Sequence, residues 1–347
     1  MAKATNKRQE ILNYIQEHPS SSSSELKEGI ELEMSIATIK RVLQELVKDQ
    51  LIISSGNGKA IRYSLSPSYR LLKPVDAEAY FKKEIDERQI QGSYHPTLVR
   101  DLQHASLFTP DELNRLQQLQ NQYEANISRL SDTEFKNEME RLAIDLSWKS
   151  SQIEGNTYSL LETEKLLKDK ETAAGKTKDE AVMLLNHKEA LDFIVEHPDY
   201  VNPLTVRSLE DIHSILVKEL AIDRNVRNHR VGITGTNYRP LDNAFQIREA
   251  LQDMCNTINA QDNVFAKALL SLVLISYIQP FADGNKRTAR IVSNALLIDN
   301  RYCPISFRTV DSVEYKKAML VFYEQNNIYP FKKIFMTQFE FAVETYF

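Results

Sequence analysis

The chain has 347 residues, 42% of them hydrophobic, and a formal net charge of −5. The length allows two or three domains, and the acidic balance excludes a protein that coats nucleic acid throughout, although not a local basic module. Two cysteines, Cys255 and Cys303, are too few for a disulfide framework or a cysteine-based metal site. No charged-then-apolar leader opens the sequence, and its longest apolar stretch, 268–278, is too short to cross a bilayer. We therefore expect a soluble, cytoplasmic protein without a membrane partner.

Residues 1–75 have a pattern typical of three helices followed by two short strands. Apolar residues recur at helical spacing in KRQEILNYIQEH, Ser24 can cap a second helix through ELKEGI, and Ser35 can cap a third in SIATIKRVLQELVKDQ. The pieces LIIS and AIRYSL are typical of strands, and the Gly-rich SGNGK between them indicates a turn. This order of elements resembles a winged helix-turn-helix domain.

Charge favours DNA binding by this first domain, although weakly. It carries eleven Lys and Arg against eight Asp and Glu, a net charge of +3, whereas the remainder of the chain carries −8. In a DNA-binding winged helix the third helix enters the major groove and the wing contacts phosphates. The residues placed for these contacts are Ser35, Thr38, Lys40 and Arg41 on the helix and Lys59 and Arg62 on the wing. Because winged helices also bind proteins, both uses stay open.

The rest of the chain is predicted to be helical. Residues 76–136 are charged and Gln-rich, with Thr109-Pro110 opening a helix, and we interpret them as a helical connector. Residues 137–347 are interpreted as a further, mostly helical domain. Its exception is RVGITGTNYRPL, 230–241, where β-branched residues and glycines predict a small β-hairpin or an extended flap. The expected fold is mainly α: an α+β winged helix-turn-helix followed by an all-α domain with that flap. His213 and Trp148 are interpreted as packing residues.

The stretch QPFADGNKRTAR, 279–290, has the features of an anion site. Pro280 ends the apolar helix, ADGN makes a tight turn, and a new helix begins, so unpaired N–H groups and the helix dipole both favour negative charge. Arg287 and Arg290 lie three residues apart and can point to one anion, and Asp283 supplies a carboxylate suited to a phosphate-bound Mg²⁺. The pattern is not a P-loop, because the Lys-Ser/Thr ending is missing.

These residues resemble the signature loop of the Fic-domain family, His-x-Phe-x-Asp/Glu-Gly-Asn-Gly/Lys-Arg-x-x-Arg. Every fixed position but the first is met. SSQIEGNT, 150–157, resembles the family's inhibitory-helix motif, in a helix expected over about 137–156, and VGITGTNYRP resembles its flap. The resemblance implies AMP transfer from ATP, with Mg²⁺, to a Ser, Thr or Tyr hydroxyl of a target protein, which includes the chain itself. A homodimer is expected by analogy.

The resemblance also assigns roles to residues. Asp283 would hold Mg²⁺, and Gly284, Asn285 and Lys286 would cradle the phosphates. Arg287 would steady the polyphosphate and Arg290 would bind the γ-phosphate. The inhibitory residues are Ser150, Glu154 and Gly155, of which Glu154 would pair with Arg290 at rest. The flap residues that would position the target are Gly232, Ile233, Thr234, Gly235 and Thr236.

Two positions depart from the family pattern. Gln279 replaces the His that accepts the hydroxyl proton, a loss that typically costs about 10²–10⁴-fold in rate. Lys286 resembles the Doc branch, which transfers phosphate, although that branch usually has Ala at Gly284 and lacks Arg290. Three readings stay open: a weak or inactive adenylyltransferase restrained by Glu154, a Doc-like phosphotransferase, and a silent ATP-binding module coupled to a DNA-binding regulator.

Overall fold

The computed structural model describes residues 2–347, except for the side chains of residues 2–6 and of Lys59. The α-helices in chain order are α1 (Ala2–Glu17), α2 (Ser23–Gly29), α3 (Ile36–Lys48), α4 (Tyr69–Leu72), α5 (Ala77–Tyr80), α6 (Leu98–Gln103), α7 (Pro110–Ile127), α8 (Asp132–Ile153), α9 (Leu160–Asp169), α10 (Lys178–Glu196), α11 (Val206–Leu216), α12 (Ala244–Asn259), α13 (Val264–Ile278), α14 (Asn285–Asp299), α15 (Ser312–Gln325) and α16 (Tyr329–Tyr346). The strands are β1 (Ile52–Ser55) and β2 (Arg62–Leu65). The fold is therefore mainly helical, as predicted.

The chain divides into two compact units. Unit 1 comprises Met1–Pro74 and His104–Leu113, and unit 2 comprises Val75–Gln103 and Asn114–Phe347. The predicted connector, residues 76–136, is divided between them. Between Phe81 and Thr97 the chain contains a single 3₁₀ turn, Ile85–Glu87, so this part of the connector is mostly irregular rather than helical.

Unit 1 contains the predicted three helices and two antiparallel strands. The strands pair in a register that runs from Ile52 opposite Leu65 to Ser55 opposite Arg62. Ser35 caps α3, as predicted, by accepting a hydrogen bond from the Thr38 amide. The predicted cap of α2 was wrong: Ser22, not Ser24, caps this helix, because only Ser22 has a Glu three residues later that completes a capping box.

The centre of unit 2 is α13, in which every residue except Lys267 is buried. A helix that is apolar on all sides lies inside a core, and α13 packs against α12, α14 and α15. Within the described residues no helix combines the length and hydrophobicity needed to cross a membrane.

The flap segment, residues 230–241, does not form the predicted hairpin. It is extended around a turn at Thr234-Gly235, and Arg239 makes an isolated parallel bridge with Ser93. β-Branched residues and glycines favour extended backbone and turns, but they do not specify the pairing partner. Here the partner lies about 150 residues earlier in the chain, so the hairpin is not confirmed.

Candidate functional site

The loop between α13 and α14 is fixed by its own side chains. Gln279 ends α13 in the left-handed conformation (φ 51°), and Gly284 precedes α14 with φ 81° and no side-chain cap. The Asn285 side chain accepts a hydrogen bond from the Phe281 amide at 2.9 Å and donates one to the Phe281 carbonyl at 2.8 Å. The first N–H groups of α14 therefore keep a fixed direction and have no intrahelical acceptor.

Gln279 takes part in the same network and is 9% exposed. Its Nε2 donates to the Ser276 carbonyl at 2.6 Å, and its Oε1 accepts from Asn285 Nδ2 at 3.0 Å. Both ends of the amide are thus engaged in holding the loop. An amide has no titratable group in the neutral range, so Gln279 fixes the loop and does not take up a proton.

The sequence analysis expected that Arg287 and Arg290 can point to one anion, but in the structure the two side chains have different partners. Arg287 is 1% exposed and its Nη2 lies 3.3 Å from the Asp283 carboxylate. Arg290 is fully buried: its Nε donates to Ser150 Oγ at 2.8 Å and its Nη2 to the Ser150 carbonyl at 2.9 Å. Arg290 differs from Arg287 because the end of α8 covers it, and the Ser150 carbonyl, which has no donor within the helix, accepts from its guanidinium.

Glu154 forms ion pairs with two cationic side chains of the loop. Its Oε1 accepts from Arg290 Nη2 and its Oε2 from Lys286 Nζ, both at 3.1 Å. Burial opposes ionisation, but the Arg290 and Lys286 charges outweigh it and lower the pKa of Glu154 to about 2. We call Glu154, Arg290 and Lys286 the clamp. It holds two cations with one carboxylate, whereas the sequence analysis named only Arg290 as a partner.

The backbone after α8 turns sharply at Gly155. Its φ of +103° is a conformation that other residues rarely adopt, and it follows directly on Glu154, the last residue before the turn. Beyond the turn, Asn156 Nδ2 donates to the Glu180 carbonyl at 2.8 Å. The position of Glu154 is therefore fixed by the helix on one side and an anchored turn on the other.

A cavity of about 380 Å³ joins the clamp, the loop and the flap. The residues that line it are Ile153, Glu154, Val231, Gly232, Ile233, Thr234, Gln279, Ala282, Asp283, Asn285, Lys286, Lys316, Met319, Leu320 and Tyr323. The last four belong to α15, which the sequence analysis did not connect with the site. Their helical spacing in SVEYKKAMLVFYEQ is equally typical of core packing, so no signal in the sequence distinguished them.

The flap is anchored at both ends and open between them. Before it, Arg227 donates to the carbonyls of Gln279 and His229, both at 2.6 Å. Towards its end, the buried Tyr238 hydroxyl donates to the Tyr277 carbonyl at 3.1 Å, and the two rings stack. The backbone groups of residues 231–234, all of them described, form no hydrogen bond. This stretch is an extended edge able to accept another strand.

Comparison with known proteins identifies one part of unit 2. Residues 203–297 match the model of the Fic/DOC family. The chain contains a Fic/DOC family domain. The match spans α11, the flap, α12, α13, the loop and most of α14, whereas Ser150 and Glu154 lie before it.

Relatives of the Fic/DOC domain carry the name protein adenylyltransferase Fic. The one from Nematostella vectensis is 31% identical over 182 residues, which are 48% of this chain and 40% of that protein. The one from Culex quinquefasciatus is 24% identical over 245 residues, 67% of this chain and 47% of that protein. The chain thus spans less than half the length of these relatives.

Solved structures show the same fold. Fic-1 (residues 134–508) from C. elegans matches with a TM-score of 0.60 and 16% identity, over 97% of both chains. A Fic domain containing signaling protein from Bacteroides thetaiotaomicron matches with a TM-score of 0.57 and 21% identity, over 66% of this chain and 94% of that one.

Within the Fic/DOC domain, the His213 side chain contacts the loop and helps to fix its conformation. Its ring stacks on Phe281 with centroids 3.7 Å apart and planes 2° from parallel. Nε2 lies 3.0 Å from the Asp283 carbonyl and Nδ1 lies 3.2 Å from the Arg224 carbonyl. Burial lowers the pKa of His213, although both carbonyls oppose this, so the neutral ring donates one of the two bonds. The predicted packing role is therefore incomplete, because the ring also fixes the residue before Gly284.

Replacing His213 by Phe keeps the stacked ring but removes the hydrogen bond. We expect the free energy of unfolding to fall by about 0.5–1.5 kcal/mol, because a partly buried carbonyl loses its hydrogen-bond donor. Urea denaturation measures this change. The control is His197→Phe, at an exposed histidine of unit 2, which should stay within about 0.5 kcal/mol. Equal losses in the two variants would contradict a loop-supporting role for His213.

Asp283 is the carboxylate of the loop available to a cation. Its side chain is 61% exposed at the cavity, and Oδ1 accepts from the Gly284 amide at 2.6 Å. No group of three potential His, Cys, Asp or Glu ligands occurs among the described residues. Mg²⁺ commonly binds proteins through one or two carboxylates together with substrate phosphates and water. The site therefore fits a metal that arrives with phosphates, and Asp283 is the residue that would hold it.

The residues predicted to contact DNA lie in unit 1. Ser35, Lys40 and Arg41 are exposed, and Thr38 is half-buried. Arg41 pairs with Glu45 at 2.8 Å and Arg62 with Glu25 at 2.5 Å, which reduces the cationic surface offered to phosphates. The side chain of Lys59 lies outside the described part of the chain. DNA binding and the winged helix-turn-helix assignment stay predictions.

Proposed function

We propose that the chain is a protein adenylyltransferase that is held inactive by Glu154. It binds ATP with Mg²⁺ and transfers AMP to a Ser, Thr or Tyr hydroxyl of a protein. The observation that carries the proposal is the single cavity shared by the uncapped start of α14, the open flap edge and the clamp. A phosphate-binding helix end and a strand-accepting edge are two parts that such a transfer needs, and an arginine covered by Glu154 supports the proposed restraint.

Each part has a separate task in the reaction. The amides at the start of α14 and Lys286 bind phosphate oxygens. Asp283 would hold Mg²⁺, which would offset the charge of the phosphates. The flap pairs with the target and brings its hydroxyl to the α-phosphorus. The hydroxyl oxygen bonds to that phosphorus, the bond to the bridging oxygen breaks, pyrophosphate leaves and the hydroxyl proton passes to solvent. Because Gln279 accepts no proton, this reaction is slow, although a loose transition state depends little on a base.

The clamp explains inhibition electrostatically. A γ-phosphate needs the guanidinium of Arg290, but both Ser150 and Glu154 hold that group beneath the end of α8. A carboxylate and a phosphate cannot share it without strong repulsion. ATP consequently binds in a position unsuited to transfer until Glu154 leaves.

The mass of the products tests the proposal. The Glu154→Gly variant, incubated with ATP and Mg²⁺, should acquire the mass of AMP on itself or on added peptides, whereas the unmodified chain should acquire little. Glu154→Gly combined with Asp283→Ala is the control and should lose the label. Addition of phosphate instead of AMP would establish the Doc-like alternative. ATP binding without any adduct would establish a silent binding module.

A further inference from the structure

Residues 80–95, which we call the strap, lie against the second half of the flap. The Arg239 amide donates to the Gly92 carbonyl at 3.2 Å, and Asn237 Nδ2 lies 3.3 Å from Asp86 Oδ1. Strap and flap belong to the same compact unit. The pairing partner of the flap is thus a segment that lies outside the matched Fic/DOC domain.

The strap also forms hydrogen bonds with two helices next to the site, α15 and α13. The Gln91 amide donates to the Glu324 carbonyl of α15 at 2.7 Å, and the His95 amide donates to the Tyr277 hydroxyl of α13 at 2.8 Å. α15 lines the cavity and α13 ends at the phosphate-binding loop. The strap therefore joins the flap to the two elements against which a bound substrate must be aligned.

Arg88 connects the strap to both the flap turn and α15 through one side chain. Its Nη2 donates to the Gly235 carbonyl at 2.9 Å, and its Nη1 donates to Glu324 Oε1 at 3.1 Å. The Arg88 side chain is 3% exposed and that of Glu324 is fully buried. The Tyr80 hydroxyl donates to the other carboxylate oxygen of Glu324 at 2.5 Å, and the Phe81 ring lies 5.0 Å from the guanidinium.

This geometry requires arginine. A planar guanidinium reaches two acceptors in fixed directions, whereas an ammonium concentrates its charge at one point. One acceptor belongs to the turn of the flap, directly after the open edge of residues 231–234. The other belongs to α15, the helix from which Lys316, Met319, Leu320 and Tyr323 line the cavity. The buried Arg88–Glu324 ion pair keeps Arg88 in place, because separating the two side chains would leave each charge without a partner away from water.

We propose that Arg88 is a positioning residue for the protein target. By holding the Gly235 turn to Glu324, it sets the distance between the open edge of the flap and the phosphate-binding loop. The inference rests on the proposed function, because it takes the flap as the edge to which the target binds. Loss of Arg88 then impairs the use of a protein acceptor and leaves the nucleotide site intact.

Amide hydrogen exchange tests the positioning directly and needs no activity. The variants are Arg88→Met and Arg88→Lys, and the matched control is Arg308→Met, which also strips the partner from a buried carboxylate of unit 2, Asp145, at 3.1 Å. We expect exchange of the Arg239 amide to become at least tenfold faster in both Arg88 variants but not in the control. Arg88→Lys keeps a charge beside Glu324, so it reports on the flap even where Arg88→Met fails to fold.

Two results would overturn the inference. One is unchanged exchange at Arg239 in the Arg88 variants, and the other is an equal increase in Arg308→Met. Either result would mean that Arg88 does not specifically fix the position of the flap.

Kinetics in the Glu154→Gly background supply the second readout. With a pool of Ser-, Thr- and Tyr-containing peptides as acceptor, Arg88→Lys should raise the apparent KM for peptide tenfold or more. Its hydrolysis of ATP to AMP, in which water replaces the peptide, should stay within twofold. An equal loss in both reactions would overturn the positioning role. If neither reaction occurs in any variant, the proposed function has failed, and hydrogen exchange alone decides whether Arg88 holds the flap.

Discussion

Replacing Gln279 by His in the Glu154→Gly variant should raise the rate of AMP transfer by about 10²–10⁴-fold. The position suits histidine, because His is enriched among the residues that adopt a positive φ, and Gln279 has a φ of 51°. The cavity already contains the remaining parts, so a single titratable group completes it. Initial rates of labelling, followed by mass, measure the gain.

The pH dependence of the rate identifies the cause of that gain. With His at position 279, the rate should rise as pH increases through the titration of the imidazole, because only the neutral ring accepts a proton. The form with Gln279 should lack this rise. Gln279→Leu is the control, since it removes the hydrogen bonds to Ser276 and Asn285 without adding a base, and it should give no gain. A gain in the Leu variant, or none in the His variant, would show that the base is not what the site lacks.

The fold was predictable where it depends on local pattern. Helical periodicity and caps predicted α1, α2 and α3 of unit 1, and the unbroken apolar run predicted the buried position of α13. The loop could also be read locally, because Asn285, Gly284 and Gln279 act on one another within seven residues. The misplaced cap of α2 differs from the real one by only two residues, which is the scale on which local signals compete.

The rest of the site depends on contacts between distant parts of the chain. Arg88 and Glu324 are 236 residues apart, and nothing in either neighbourhood indicates the other. His213 stacks on a ring 68 residues away, and a lone histidine on a helix is equally typical of packing. Arg287 and Arg290 were expected to be able to point to one anion, but the tertiary structure buries both and gives them different partners. Burial of a charge depends on its partners, and local sequence does not specify them.

The clamp could be predicted only in part, because one of its ion pairs follows from the family resemblance and the other appears only in the structure. The family resemblance suggested that Glu154 pairs with Arg290, but it did not suggest Lys286 as a second partner. Lys286 was expected to help cradle the phosphates and was interpreted as a departure towards phosphate transfer. Its contact with Glu154 gives it a different role, because it doubles the charge that keeps the carboxylate in place. This arrangement makes a quantitative expectation possible.

Replacing Glu154 by Gln should have opposite effects on stability and on ATP binding. The free energy of unfolding without nucleotide should fall by about 3 kcal/mol, because the pKa of the carboxyl is lowered from 4.5 to about 2 by cations that would lose their partner. ATP affinity should rise by as much as roughly a hundredfold, since the clamp no longer has to open before the γ-phosphate reaches Arg290. Urea denaturation and calorimetric titration measure the two quantities.

The same variant fixes the pH range in which the clamp acts. A carboxyl whose pKa is lower in the folded state stabilises fully above about pH 4.5, and this stabilisation is lost as pH falls towards 2. The stability difference between the two forms should therefore stay constant between pH 5 and 8, so that protonation cannot release the clamp there.

Glu138→Gln, at an exposed pair with Arg141 on α8, is the matched control and should change stability by less than about 1 kcal/mol. ADP is the matched ligand, because it lacks the γ-phosphate and should gain little affinity in Glu154→Gln. Equal gains for ADP and ATP would mean that Glu154 excludes nucleotide as a whole rather than the γ-phosphate from Arg290.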